Sequence, residues 1–219
     1  MNKRSIGKVL VLLVGLIVLP FNLWAQDDWQ YWHQYQLSVA MPKSTKFLIS
    51  GQQRLRDNFS ESFHADIETG LLWKPLSYLE AGPFFKYQRE KTAKGDHINE
   101  NRYSVELSLT PKWRKFTLKD RNRFEYRNRN TTDGWRYRNQ IKVSFRFPAR
   151  KIELEPYLSE EIFYDFDAQK FNQSRASVGL TTHLHKHVSV SLFYLLQSKK
   201  TGSNWREDHV LGSQLVISV

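Results

Sequence analysis

The stretch Trp135–Phe147, WRYRNQIKVSFRF, alternates between two kinds of side chain. Its odd positions are mostly aromatic or aliphatic: Trp135, Tyr137, Asn139, Ile141, Val143, Phe145 and Phe147. Its even positions are polar and mostly cationic: Arg136, Arg138, Gln140, Lys142, Ser144 and Arg146. Because successive side chains of a β-strand point to opposite faces, this stretch predicts a strand with one apolar face and one cationic face.

The same alternation recurs along the chain in segments that are separated by turn-forming residues. The pattern predicts about eleven strands, near 29–41, 46–56, 63–73, 78–90, 99–110, 116–128, 135–147, 152–165, 172–183, 188–198 and 206–219. Strands that cross a membrane need about 9–11 residues when tilted. The strands of a soluble β-sandwich average about five to six residues, so these lengths favour a membrane protein.

Turn lengths support a barrel, since short turns at one rim and longer polar loops at the other are typical of transmembrane β-barrels. A soluble lipocalin-like barrel would need an apolar interior, whereas here the polar face is rich in Arg and Glu. We therefore predict an all-β protein, an antiparallel transmembrane β-barrel of about 10–12 strands. Because bacterial barrels have even numbers of strands, ten or twelve is the expectation. Pro83 and Pro156 lie inside predicted strands and should mark bulges or strand ends.

The first 25 residues have the pattern of a secretory signal. Lys3, Arg4 and Lys8 precede the apolar run Val9–Pro20, and Ala25 is the small residue before a predicted cleavage at Gln26. The run has about 12 residues, fewer than the roughly 20 of a spanning helix. The sequence thus predicts a cleaved signal peptide, 1–25, and a barrel domain, 26–219, that is exported to the outer membrane of a Gram-negative cell.

Composition excludes several classes of protein. The chain contains no Cys, which excludes a disulfide scaffold, thiolate zinc sites and a catalytic Cys. Its 14% of aromatic residues is too high for a disordered basic tail. The formal charge of +11 falls to +8 once the three signal-peptide cations are removed. Nucleic acid is not an expected partner, because the chain is exported and its aromatic residues face away from its arginines.

The densest chemical feature is a basic ladder on two adjacent predicted strands, made of Arg121, Arg123, Arg127, Arg129, Arg136, Arg138, Lys142 and Arg146. Facing cations need neutralising partners. The candidate carboxylates that should face the same lumen are Asp66, Glu68, Glu80, Glu106, Glu125, Glu153, Glu155 and Glu161. One interpretation is an ion-pair network that fills a narrow lumen and prevents conductance. The other is an anion-selective pore or an anionic ligand site.

The histidines indicate a functional site less strongly than the basic ladder does. His183, His185 and His187 would point the same way on an extended backbone, as metal ligands can, but no carboxylate lies near them in sequence. An alternative function is a lipid-modifying barrel enzyme of the acyltransferase or phospholipase type. His64, His97 and His209, with Ser60, Ser62 and Ser203, lie near the longer-loop rim, but a triad is defined by geometry that sequence does not give.

Four motifs carry a family resemblance: Asp28–Trp32 (DWQYW), Gln53–Arg56 (QRLR), Asp120–Arg129 (DRNRFEYRNR) and Trp135–Asn139 (WRYRN). With these motifs, the whole mature chain resembles the bacterial outer-membrane family catalogued as domain of unknown function 2490. The resemblance implies a location and a fold, and it implies no activity or substrate.

The sequence as a whole predicts an outer-membrane barrel with a structural, small-pore or ligand-binding role. We expect no enzymatic activity, no cofactor and no resident metal. The expected partners are outer-membrane lipids, lipopolysaccharide and, during biogenesis, the barrel-assembly machinery, and the barrel is expected to be a monomer.

Overall fold

The computed structural model describes residues 29–149, 152–202 and 204–219, which form one rolled β-sheet. The predicted signal peptide lies outside the described residues. The strand segments are β1 (Trp29–Met41), β2 (Thr45–Arg56), β3 (Glu61–Leu76), β4 (Leu79–Lys91), β5 (His97–Leu109), β6 (Lys112–Trp113), β7 (Phe116–Arg129), β8 (Gly134–Phe145), β9 (Phe147–Ala149), β10 (Ile152–Asp165), β11 (Lys170–His185), β12 (Val188–Thr201) and β13 (Asn204–Ser218). No helix among these residues is long and apolar enough to cross a membrane.

The barrel wall has eleven strands, as many as the alternation pattern contains. β6 is a two-residue segment within a turn, and it pairs only with the start of β7. β8 and β9 are two parts of one wall strand, because both pair with β10. The described strands therefore confirm an all-β barrel within the predicted range of 10–12 strands.

The expectation of an even count, ten or twelve, was wrong. β1 and β13 close the barrel as a parallel pair, from Trp29 opposite His209 to Ser38 opposite Ser218. The other described ladders are antiparallel. Parallel closure is what an odd number of up-and-down strands requires, and a mitochondrial barrel of 19 strands is another odd case. As a result, β1 starts at one rim and β13 ends at the other.

Both strand prolines lie at interruptions of the ladder. Pro156 pairs with Leu180 on one side and faces the break between β8 and β9, at Arg146, on the other. Pro83 lies where the β3–β4 ladder is interrupted, beside Gly82, at which a Cβ atom would clash with the carbonyl oxygen of Leu71. A residue without a backbone N–H is tolerated at such positions because no ladder donor is needed there.

The outward face of the wall is apolar. Val105, Leu158 and Leu192 are each more than 60% exposed. Aromatic side chains gather at both rims: Phe124, Tyr126, Trp135 and Phe166 at the end of β7 and the start of β8, and Trp113, Phe116 and Phe145 at the opposite end. Transmembrane barrels carry an apolar band between two aromatic girdles on their exterior, and the wall of this barrel has the same pattern.

One polar cluster interrupts the outward face near the middle of β7 and β8. Asn139 donates to Asp120 at 2.6 Å and to Asn122 at 3.0 Å, and Asn122 also donates to Asp120 at 3.2 Å. These residues alternate with Arg121 and Gln140, which line the lumen, so they point outward. Their mutual hydrogen bonds lower the cost of polar groups on an apolar face.

The loops at the rim where β1 starts are only modestly longer than the turns at the other rim. Loops 57–60, 92–96, 130–133 and 166–169 have four or five residues, but the turn between β12 and β13 is as short as the opposite turns. In the loop 130–133, the hydroxyl of Tyr126 donates to the Asp133 carboxylate, and so does the amide of Asn128. These hydrogen bonds hold the pKa of Asp133 below its usual value.

Candidate functional site: the charged lumen

The barrel encloses a cavity of about 950 Å³ whose lining is strongly basic. Eighteen lysine and arginine side chains line it, against seven aspartates and glutamates. Three more carboxylates, those of Asp66, Glu100 and Glu125, are each at most 2% exposed and lie among the lining side chains. Even with these three included, the lumen has a clear excess of positive charge.

The chemical character of the lining also changes around the circumference of the barrel. Charged residues come mainly from β3 to β11. β1 contributes amides such as Gln34, and β2 contributes Ser50 and Gln52 together with the cations Lys46, Arg54 and Arg56. On the inner face near the closing pair, Trp32 and Val210 pack with Leu195 of β12 in an apolar cluster. The charged side chains therefore face a wall that offers them few carboxylates.

Glu125 on β7 is the most buried hub of the ladder, with no exposed side-chain area. Arg136 donates to it from Nε and Nη2 at 2.8 and 2.6 Å, and Arg138 donates from Nη1 at 2.9 Å. Arg102 of β5 lies 3.8 Å away. A single carboxylate thus holds guanidinium groups from two neighbouring strands, and charge-assisted bonds of this kind are the stronger ones in proteins.

Glu161 on β10 is the second hub. Arg121 and Arg138 donate to its Oε1 at 2.8 and 2.7 Å, and Arg175 of β11 lies 3.4 Å from its Oε2. Arg138 bonds both Glu161 and Glu125, so the two hubs form one connected network across β7, β8, β10 and β11.

Arg123 extends the charged lining towards the other side of the barrel. It donates to Glu106 at 2.7 Å and to Glu68 at 2.6 Å, and its guanidinium lies over the ring of Phe84. Asp66, which the sequence grouped with these carboxylates, instead binds His64 and Lys86 at 2.8 and 3.1 Å. Glu80 pairs with Lys46 at 3.0 Å.

Several members of the network were missed from the sequence. Glu100, 1% exposed, binds Arg127 at 2.7 Å and Arg102 at 2.6 Å. Arg102 and Arg175 have no other Lys or Arg close to them in sequence. The sequence therefore contains no cationic run that would predict their place in the network. Only the register that places β5 beside β7, and β11 beside β10, brings them to the ladder.

A stack of guanidinium groups and aromatic rings narrows the lumen on the side of β1. Arg54 and Arg175 lie over the ring of Trp32 at 3.9 and 4.9 Å. Arg175 and Arg138 lie over Phe163 at 4.8 and 5.0 Å. The contacts run from β2 to β8 through side chains that reach across the lumen. Cation–π attraction therefore adds to the ion pairs of Arg138 and Arg175 with Glu161, and it holds Arg54, which has no carboxylate within 4.0 Å among the described residues.

Three residues of the predicted basic ladder, Arg129, Lys142 and Arg146, do not bind the two carboxylate hubs Glu125 and Glu161. Arg129 has a buried Nε without a hydrogen-bond partner among the described residues. Lys142 forms no ion pair within 4.0 Å with a described carboxylate, and its ammonium group lies 3.6 Å from the ring centre of Tyr157. Arg146 is 46% exposed at the short-turn rim, where it pairs with Glu153 at 2.6 Å and Glu155 at 3.0 Å.

The three histidines of the His-x-His-x-His stretch do not share one environment. A register shift between His183 and His185 breaks the alternation. His183 binds Ser189 at 2.9 Å and lies 3.5 Å from Glu155, so the carboxylates absent from its sequence neighbourhood come from β10. His187 contacts the Ser218 carbonyl at 2.5 Å. Glu153, Glu155 and His183 form a cluster of possible metal ligands, but Arg146 already binds both carboxylates.

The three histidines considered for a lipid-modifying enzyme lie in different environments. His64 is buried in the lumen beside Asp66, whereas His97 is exposed at the start of β5. His209 bonds the Tyr194 hydroxyl at 2.6 Å and stacks on Trp29. Ser203 lies outside the described residues.

Residues 29–208 match the model of a family described as "Protein of unknown function (DUF2490)". This match covers most of the chain, so the chain belongs to that family, and the resemblance seen in the sequence motifs is confirmed. No curated protein matches the chain.

The barrel is similar to several solved outer-membrane barrels. An anion-selective porin from Comamonas acidovorans aligns with TM-score 0.41 and 12% identity over 81% of this chain and 55% of the porin, so the chain spans little more than half of that porin's length. The β-domain of the Bordetella autotransporter BrkA aligns with TM-score 0.46 and 9% identity, over 80% of this chain and 83% of the autotransporter domain. The NanC porin aligns with TM-score 0.47 and 10% identity, over 77% of this chain and 86% of the porin.

Proposed function

We propose that this protein is an outer-membrane β-barrel of a Gram-negative bacterium whose cationic lumen is occluded by its own side chains, giving it a structural or ligand-binding role. The observation that carries the proposal is the two-sided wall. Apolar side chains cover its outside, while guanidinium and carboxylate groups bind each other inside. Such a wall is stable only with lipid outside and polar contacts inside.

The proposal includes the partners that this surface suits. The apolar belt would contact membrane lipids, the basic and aromatic rims would contact lipopolysaccharide, and the barrel-assembly machinery would insert the strands. The closing β1–β13 pair leaves no open sheet edge in the described wall, which favours a monomer.

Topology gives the first test. We expect an epitope tag inserted at Gly95 to be labelled on intact cells and a tag at Ser44 to be labelled only after the outer membrane is opened. Gly95 lies in an open loop at the longer-loop rim, and Ser44 lies in the opposite short turn. Longer loops face the cell exterior in bacterial barrels. Labelling of Ser44 alone would invert the orientation, and labelling of neither tag in cells that contain the folded protein would contradict an outer-membrane location.

Conductance gives the second test. We expect the purified protein to show negligible conductance in planar bilayers, because arginines reach across the lumen between strands that are not neighbours: Arg123 of β7 binds Glu68 of β3, and Arg175 of β11 lies over Trp32 of β1. We also expect Arg123→Ala to lower the temperature at which the folded barrel unfolds on a heat-modifiability gel, since Glu68 and Glu106 lose their shared partner.

A small anion-selective pore is the second candidate, and one observation favours it. The cavity is lined from the longer-loop rim, by Lys91 and Arg206, to the short-turn rim, by Ser38 and Ser218. A steady, anion-selective conductance that falls in Arg123→Ala, with unchanged folding stability, would replace the occluded barrel by this pore.

A further inference from the structure

We propose that the short-turn half of the lumen contains a binding site for a small oxyanion of the phosphate type, held between Lys119 of β7 and Lys142 of β8. This inference deepens the proposed function, because it gives the ligand-binding role a ligand class. It rests on the lumen geometry of that function, and it does not require the lumen to conduct.

The two lysines occupy directly opposite positions of the β7–β8 ladder, and both line the cavity. Like charges directly opposite each other destabilise an antiparallel pair. Neither ammonium group lies within 4.0 Å of a carboxylate in the described part of the chain. The pair therefore brings together two positive charges that the protein itself leaves without an ion pair.

Nearby carboxylates are already engaged. Those that interact electrostatically with the two lysines are Glu80, Glu106 and Glu155. Glu80 pairs with Lys46, Glu106 with Arg123, and Glu155 with Arg146, at 2.7 to 3.0 Å. Each of the three is therefore bound to another cation, and none lies within 4.0 Å of either lysine ammonium group.

A third cation adjoins the pair. Arg121 lies two residues from Lys119 on the same face of β7 and also interacts electrostatically with Lys142. It shares its carboxylate, Glu161, with two other arginines. The Tyr157 ring beneath the Lys142 ammonium holds that group in place without cancelling its charge.

This arrangement suits an anion with several oxygen atoms and more than one negative charge. Such an anion can accept charge-assisted hydrogen bonds from two ammonium groups and a guanidinium at once, whereas chloride or a monocarboxylate offers fewer acceptors or less charge. The cavity beside the lysines gives it room.

Calorimetric titration of the refolded protein in zwitterionic detergent with inorganic phosphate tests the proposal. We expect saturable binding to one site, with acetate and chloride at the same ionic strength binding far more weakly. In Lys119→Gln/Lys142→Gln, the phosphate affinity should fall by about tenfold to a hundredfold, because charge-assisted hydrogen bonds are lost. The matched control is Lys199→Gln, which removes a lumen lysine at the opposite rim and should leave the affinity unchanged.

Stability gives an independent readout. Without phosphate, the double variant should unfold at a higher temperature than the unmodified protein, because the repulsion between the facing lysines is gone. Phosphate at a concentration that saturates the unmodified protein should raise its unfolding temperature, and it should raise that of the double variant much less.

Two results would overturn the site: no saturable phosphate binding by folded protein, or equal affinities in the double variant and the unmodified protein. A fall in affinity as large in Lys199→Gln would also overturn it, because general screening by lumen charge would then explain binding. Conductance in bilayers would contradict the occluded lumen and leave this site standing, so the two failures are distinguishable.

Discussion

Replacing Glu125 with glutamine is expected to lower the free energy of unfolding by about 3–5 kcal/mol, the cost of stranding buried charges when one partner of a buried pair is removed. Glutamine keeps the shape of the side chain but removes the charge that holds Arg136 and Arg138, and Arg102 lies 3.8 Å from the same carboxylate. Urea titration of the barrel in lipid vesicles, read by heat-modifiable migration, measures the loss.

The matched control for Glu125→Gln is Glu153→Gln at the short-turn rim. Glu153 pairs with Arg146 at 2.6 Å, but the two side chains are 40% and 46% exposed. An exposed pair contributes about 0–1 kcal/mol, so the control should be nearly neutral. Equal losses in the two variants would mean that water reaches Glu125 as freely as it reaches the rim, and the occluded lumen would be wrong.

The strands were predictable because the two faces of the wall differ in polarity. An apolar outer face and a polar lumen impose a period of two on the strands, and Trp135–Phe147 shows it at every position except Asn139. The alternation does not predict, however, whether two paired strands run parallel or antiparallel. Nothing in β1 or β13 marks their pairing as parallel, so the even-number rule overrode the correct count of eleven segments.

The lumen network was predictable only where charges are dense in sequence. Arg121 to Arg138 form visible runs on β7 and β8. Arg54 and Arg175 lie outside these runs, on β2 and β11, and meet over Trp32 only after the barrel closes. Their proximity depends on how β1, β2 and β11 curve around one lumen. No pattern within a single strand predicts this curvature.

The outward polar cluster shows a different limit of pattern reasoning. The alternation placed Asn139 on the apolar face correctly, although an amide is a poor lipid-facing residue. Its neighbours Asp120 and Asn122 share that face, and the three side chains bond one another. Polar residues are tolerated there because each satisfies the others, which is a property of the cross-strand register.

Val143→Arg is expected to lower the free energy of unfolding by about 2–4 kcal/mol, the cost of an arginine near the bilayer midplane on the lipid face of a barrel. Val143 is 45% exposed near the middle of the β8–β9 wall strand, and its ladder neighbours are Leu118 and Leu158. All three side chains point outward, so the new guanidinium would have no carboxylate of the lumen within reach.

Two controls separate the effect of charge from that of position. Val143→Leu keeps an apolar side chain at the site and should change stability little. Lys142→Ala lies one residue away but faces the lumen, where it removes one of two opposed lysines, so in phosphate-free buffer it should be neutral or slightly stabilising. Unfolding of each variant from vesicles in urea measures the three effects. If Lys142→Ala destabilises the barrel as much as Val143→Arg does, the two faces of β8 do not meet different solvents, and this chain does not span a membrane as a barrel.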